Sequence, residues 1–346
     1  MSTFKSDPAG PATPGAPADR SGPLSPAAGA APGGGAPQPR RTRPAPRRLQ
    51  VVRVAPLADD MVTVTLGGPA LAGFALPRPA HHIKIFLPVD GQREPTVPAW
   101  GPDGRPVFPA GQPRPVVRTY TPRRFDPDAG ELDIEMLLHA GGPAGRWAAG
   151  ARPGDHLAIA GPGGGYEVPT GAAHHLLAAD ETGLPALATI LERLPAAAGV
   201  TVLAEVRDAG RHRDLPVAPA ATVTWLHRGT RVAGELLAES VAAAVLPAGT
   251  AAWVACEASA VRRIRRQLLG SGLDRGQIST RGYWRLGAAD HPDHDFGEAD
   301  LADIARSGGG RGSRLRSTLG PLSSRARSAA REVRAAMRDR GDDRSR

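Results

Sequence analysis

The chain is poor in several things, and each scarcity closes off a class of function. It has a single cysteine, Cys256. One thiol cannot form an internal disulfide, a cysteine-ligated iron–sulfur cluster or a cysteine-rich zinc site. If the chain carries out redox chemistry, an organic cofactor has to carry the electrons. Only Lys5 and Lys84 are lysines among 43 basic residues. Aromatic residues make up 4% of the chain. No apolar run is long enough to span a bilayer, and the first residues carry no apolar core like that of a signal peptide, so the expected compartment is the cytoplasm. The formal charge of +9 suggests nucleic acid at first sight. It sits at the ends, however. Residues 1–48 carry +5 and residues 302–346 carry +7, leaving −3 for the stretch between. A folded polyanion-binding domain is therefore not expected, and no specific nucleic-acid partner is assigned.

What is present falls into blocks. Residues 1–46 are Pro, Gly, Ala and Ser punctuated by arginine, too apolar-poor to offset the entropy of ordering, and read as a disordered tail. Residues 47–170 hold "LQVVRVAPL", "MVTVTLGG", "HHIKIFLP", "VVRTYTPRRF", "ELDIEMLLH" and "DHLAIAG". Six short β-branched or alternating runs separated by Gly, Pro and Asp predict a small barrel or sandwich. The Pro/Gly-rich stretch 89–115 reads as a surface loop. Residues 171–298 alternate strands ("HHLLAAD", "VTVLAEV", "TVTWLH", "AAWVACE", "QISTRGYW") with helices, the pattern of a parallel sheet covered on both faces. Such sheets bind ligands outside the carboxyl ends of their strands. Residues 299–346 read as a basic linker followed by a solvated helix at 323–340.

Four segments carry chemistry. In "VRTYTPRRF" (117–125), Arg118 and Tyr120 are two apart on a strand and share a face, with Thr119 and Thr121 on the other. An arginine fork suits a phosphate and a tyrosine offers a flat face to a ring. An edge strand with ordinary polar residues would look the same. In "HAGGPAGRWAAG" (139–150), two glycines and Pro143 open a helical turn whose free N–H groups suit an anion, and Trp147 can flank a base. The "GPGGG" that follows would let a cofactor approach the backbone. In "ADETGLPALATIL" (179–191) a strand meets a helix without the G-x-G-x-x-G fingerprint, and Asp180 and Glu181 stand where a pyrophosphate would lie. They cap the helix or hold a ribose hydroxyl. In "RGYWRLGAADHPDHDFGE" (281–298), Tyr283 and Trp284 close the last strand. His291, Asp293, His294 and Asp295 have the residue types of a metal site, but nothing fixes their geometry, and no metal is assigned. His81 and His82 begin a strand, and one of them is expected to face solvent. Arg207, Arg211 and Arg228 follow later strands and suit a 2′-phosphate.

Taken together, "HHIKIFLP", "RTYTPRRF", "HAGGPAGRWA", "ADETGLPAL" and "RGYWRLG" resemble, in order, the siderophore-interacting protein family, FAD-dependent ferric-siderophore reductases of the ferredoxin–NADP reductase superfamily. The resemblance spans about residues 49–290. It implies a six-stranded antiparallel FAD-binding barrel followed by a parallel-sheet nucleotide-binding α/β domain. It implies FAD held by Arg118, Tyr120 and Thr121 and by His139, Gly142, Pro143, Ala144 and Trp147. NADPH or NADH would approach past Asp180, Glu181 and Thr182, with ferredoxin as an alternative donor. Lys84 matches a basic residue that the family places near the ferric substrate, and Arg123, Arg124 and Arg285 are further candidates for an anionic ferric siderophore. Thr63 stands where family members often have an arginine. No catalytic acid, base or nucleophile is expected. A general NAD(P)H:flavin or quinone reductase and a non-catalytic iron-complex binder share these features.

Overall fold

The computed structural model describes residues 44–288 except 90, 103–104, 140 and 219–220. The two tails and the group His291, Asp293, His294 and Asp295 lie outside the described residues.

The first half is an antiparallel barrel. Its strands are β1 (Arg47–Ala58), β2 (Met61–Gly67), β3 (His81–Leu87), β6 (Val116–Tyr120), β7 (Pro122–Asp126), β8 (Glu131–Leu137) and β9 (His156–Gly164). A separate pair, β4 (Ala99–Trp100) with β5 (Pro106–Val107), lies within the stretch expected to be a loop. The sheet order is β6-β3-β9-β1-β2-β8-β7. Seven strands stand where six were expected, because one sequence run is divided. Only Thr121 separates β6 from β7, and Pro122 has no N–H to give to a ladder, so the run breaks there. Its first half pairs with β3 and its second with β8. One run thus joins both ends of the sheet and closes it. Alternate residues of β3, Ile83, Ile85 and Leu87, are buried in a core shared with Leu66, Ile134 and Ile159.

Helix α1 (Pro143–Gly150) turns Ala144 and Ala148 into that core.

The second half is a parallel sheet of β10 (His174–Asp180), β11 (Gly199–Val206), β12 (Thr222–His227), β13 (Thr250–Glu257) and β14 (Ile278–Trp284), in the order β12-β11-β10-β13-β14. Helix α2 (Leu184–Leu191) packs on one face, with Leu177, Val202 and Trp253. Helices α3 (Glu235–Ala243) and α4 (Ala258–Gly270) pack on the other, with Leu176, Val254 and Cys256. The strand order reverses between β10 and β13, which places the ligand crevice of such a sheet at their carboxyl ends. Gly183 lets α2 start close against β13: a Cβ there would lie 2.4 Å from the Ala255 carbonyl oxygen.

Charged and polar contacts tie the barrel to the sheet. Thr189 on α2 accepts from the Ala80 amide at 2.9 Å. Arg211 pairs with Asp60 at 2.7 Å. Glu135 on β8 is the centre of a buried network. It pairs with Arg213 and, at 3.4 Å, with Arg123, which in turn reaches Glu192 after α2 at 2.8 Å.

Candidate functional site

The barrel run that opens the site sorts its side chains by register. Ile85 pairs with Arg118 and Ile83 with Tyr120, so the arginine and the phenol share one face of the sheet. Lys84 pairs with Thr119 on the other face, and its ammonium donates to the Thr119 hydroxyl. Tyr120 is half-buried against the barrel core. Burial pushes its phenol up to about 12, and the charge of Arg118 only partly opposes this. The hydroxyl therefore stays neutral at any ordinary pH. The Arg118 guanidinium donates to the Val117 carbonyl at 2.7 Å. Thr121, at the break, is buried.

Helix α1 begins next to this run in the fold. Gly142 is its N-cap in extended conformation, Pro143 opens it, and neither a capping side chain nor an acidic residue occupies its first turn. Its leading N–H groups are thus left for an anion. Gly142 and Gly145 are small for a local reason: a Cβ would lie 2.4 Å from the His139 ring or 2.7 Å from its carbonyl oxygen. Trp147 packs on the barrel core, so it is a support as much as a face for a base. An open helix end, an arginine and a neutral phenol suit an aromatic group attached to a diphosphate, and FAD fits these residues.

The "GPGGG" segment lies close to two histidine rings. A Cβ at Gly163 or Gly164 would lie 2.9 or 2.8 Å from the His82 ring, and one at Gly165 2.9 Å from the His81 ring. The glycines make room for two histidines. Neither faces solvent freely: His81 is buried and bonded to Arg78 N and Gly163 O, and His82 is half-buried, 3.1 Å from an Arg281 nitrogen. That last contact sets β14 against the face that carries His82, Lys84 and Thr119.

The carboxyl edge of the parallel sheet is lined with buried acids, each spent on its own fold. Asp180 is fully buried. It accepts from the Thr182 amide and hydroxyl at 2.9 and 2.6 Å, from the Gly183 amide at 3.3 Å and from the Trp284 indole at 2.7 Å. Glu205 accepts from the Gly234 and Leu237 amides at the start of α3, at 2.6 and 2.8 Å. Glu257 accepts from the Ser259 and Ala260 amides at the start of α4, at 2.6 and 3.0 Å. Glu181 binds Arg228 at 2.6 Å and the Arg207 amide at 2.9 Å. The starts of α3 and α4, which would otherwise attract a diphosphate, already hold carboxylates, whereas no side chain caps α2 and no acidic residue lies in its first turn. Asp180 and Glu181 thus both have partners inside the fold, Asp180 in the turn before α2 and at Trp284, Glu181 at Arg228 and the Arg207 amide. Burial also pushes the Cys256 thiol well up, with Asp180 next among the causes, so it stays protonated and unreactive.

Burial, reinforced by the charge of Glu181, raises Asp180 from 3.8 to about 6 against its own hydrogen bonds. A carboxyl whose folded pKa is raised binds its proton more tightly when folded. Its stabilising contribution is complete below about pH 4 and is lost as pH rises through about 6. Against wild type, Asp180→Asn has no such loss. Its deficit in urea unfolding is expected to shrink between pH 4 and 7, by roughly 2–3 kcal/mol. A constant deficit across that range would refute the assignment.

The other sequence candidates scatter. Arg123 belongs to the Glu135 network. Arg124 is exposed and paired with Asp126 at 3.2 Å. Both line a cavity of about 470 Å³ between β7, residues 74–81 and the end of α2, which touches none of Lys84, Arg118, Tyr120 or Arg285. Arg285 follows the last residue of β14. Sequence reading missed Arg281, which alternation along "STRGYW" places on the same strand face as Tyr283.

A closed flavin-type barrel followed by a doubly wound sheet, with an open helix end on the barrel, defines a two-domain flavin reductase plan. The chain belongs to the siderophore-interacting protein family. The siderophore-interacting FAD-binding domain matches residues 50–166, and the siderophore-interacting protein domain matches residues 172–287. Ferric vibriobactin reductase ViuB of Vibrio cholerae is 31% identical over 255 residues, covering 72% of this chain and 93% of that one. The NADPH-dependent ferric-chelate reductase of Escherichia coli is 34% identical over 244 residues, covering 69% and 92%. The crystal structure of a siderophore utilization protein from T. fusca, 39% identical, covers 72% of this chain and 96% of that chain with a TM-score of 0.66.

Proposed function

We propose that this protein reduces ferric siderophores in the cytoplasm, drawing electrons from NADPH or NADH through FAD and releasing iron as Fe(II). The observation that carries the reading is the placement of Lys84, held by Thr119, on the barrel face that meets Arg281 through His82, across the same sheet from the face that carries Arg118 and Tyr120. The names of the Vibrio cholerae and Escherichia coli relatives agree with it. No helix among the described residues is long and apolar enough to cross a membrane.

FAD supplies chemistry that no side chain has: it accepts two electrons as hydride and gives them up singly. The chain's residues position and polarise. Arg118 and the open end of α1 would hold the diphosphate, with His139, Gly142, Pro143 and Ala144 shaping that turn and Trp147 supporting it. Tyr120 offers a neutral ring and hydroxyl, and Thr121 a hydrogen bond at the strand break. Lys84 and Arg281, with Arg285 near the end of the same strand, favour an anionic ferric chelate. The chelator keeps the iron's ligands, so no protein acid or base is needed. On the nucleotide side, half-buried Thr182 would meet the donor, with buried Asp180 and Glu181 behind it. Because the starts of α3 and α4 hold carboxylates, donor phosphates would rely on the start of α2 together with Arg207 and Arg228. Ferredoxin is an alternative donor that would bypass them.

The test is anaerobic. Purified protein should be yellow, should bleach with NADPH or NADH, and should yield Fe(II) to a coloured ferrous chelator only when a ferric siderophore is present. Bleaching without Fe(II) would point to a general flavin or quinone reductase, and a flavin that no nucleotide bleaches would point to a ferredoxin-fed or non-catalytic protein. Lys84→Ala should lower kcat/KM for a ferric catecholate about tenfold, the loss of one charge contact near the surface. FAD content and turnover of a neutral quinone should not change. An equal fall with the quinone would remove Lys84 from the substrate site.

A further inference from the structure

A pair of imidazoles stands apart from the flavin side of the molecule. His227 is the last residue of β12, the edge strand of the parallel sheet, and Trp225 lies two residues before it on the same face. His212 follows the helical turn Ala209–Arg211, which the Asp208 side chain caps. Its neighbours fix it from both sides: Arg211 is paired with Asp60 and Asp208, and Arg213 with Glu135. The His212 ring stacks on Trp225, centroids 4.4 Å apart at 23°, and its Nε2 lies 2.7 Å from Nε2 of His227.

Two ring nitrogens aimed at one another can share one proton. They can also share a metal ion. At metal–nitrogen lengths of about 2.0–2.1 Å, two imidazoles on one ion keep their nitrogens roughly 3.0–3.4 Å apart. An opening of a few tenths of an ångström converts the observed pair. Both rings are exposed, so water can complete the shell. The nearby cations do not oppose a second positive charge at full strength, because Arg211, Arg213 and Arg228 are each paired with a carboxylate. Among the described residues no third His, Cys, Asp or Glu joins the pair.

We propose that His212 and His227 form a two-imidazole site for a divalent first-row transition ion. Two protein ligands make such a site weak and exchangeable, suited to passing an ion on rather than storing it. The site lies four strand spacings from β14, about 19 Å, so it is separate from the Lys84–Arg281 face. The ferrous ion released in the proposed reaction belongs to this class, and only that link rests on the reductase reading.

The experiment uses untagged full-length protein and Zn²⁺ or Ni²⁺ alone, with no turnover, so it stands whether or not the reductase reading does. Calorimetry should show one Zn²⁺ equivalent that His212→Gln and His227→Gln each weaken about tenfold or more, while both variants keep the wild-type flavin spectrum and melting point. Ni²⁺ should quench indole emission in wild type, and Trp225→Phe should remove that quench while keeping the Zn²⁺ heat. Unchanged Zn²⁺ affinity in the double glutamine variant, or no binding by wild type at about millimolar Zn²⁺, would overturn the proposal.

Discussion

Replacing Arg118 and Tyr120 together by alanine should strip the protein of much of its FAD. A charge-assisted contact to a phosphate is worth about 1.5–3 kcal/mol, and an aromatic face about 0.5–1.5 kcal/mol. Losing both should weaken binding by roughly thirtyfold to a thousandfold or more, enough for the variant to lose much of its colour on purification. Tyr120 also packs on the barrel core, so its truncation carries a packing cost. Arg118→Ala avoids that cost and separates the two effects: it should melt close to wild type and bind FAD ten- to a hundredfold more weakly. Flavin titration of the refolded apoprotein reads both. Full FAD occupancy in the double variant would remove this run from the cofactor site and leave the family's barrel without its expected anchor.

The second large effect concerns the joint between the halves. The Arg213 side chain is 4% exposed and Glu135 is 8% exposed, and they are ion-paired. Glu135→Ala leaves a buried guanidinium without its main partner, which costs about 3–5 kcal/mol. In a folded region of this size that should lower Tm by roughly 10 °C. Arg123 keeps its contact with Glu192 and cannot replace the missing carboxylate, because it too is a cation. Changing both partners to apolar residues of similar size, Glu135→Leu with Arg213→Met, should recover most of the loss, since the cost comes from the orphaned charge. A Glu135→Ala variant that melts within a degree or two of wild type would show the network to be idle.

Arg123 illustrates where reading along the chain runs out. As text, "TPRRF" presents two cations after the tyrosine, both plausible for an anionic substrate. Their separation into one buried in an ion-pair network and one exposed depends on β8 and α2 both packing against β7, residues far away in the chain. The glycines of "GPGGG" behave similarly. Their smallness was visible, but the two histidine rings that need the space come from β3, some eighty residues earlier. Asp180 stood out as an acid in an unsuitable place for a diphosphate. Its partner Trp284 could be found only once β10 and β14 lay in one sheet.

Period-two runs, helix-period runs and their punctuation already specified a β half followed by an alternating α/β half, because those signals are local and each strand or helix buries its own face. The same is true of Arg118 sharing a face with Tyr120, which follows from strand geometry alone. Closure of the barrel through one run broken at Pro122, the Glu135 network, the filled starts of α3 and α4 and the meeting of His212 with His227 were set by packing. Each depends on groups distant in sequence being brought within a few ångströms, and charges buried there are chosen by their neighbours in space.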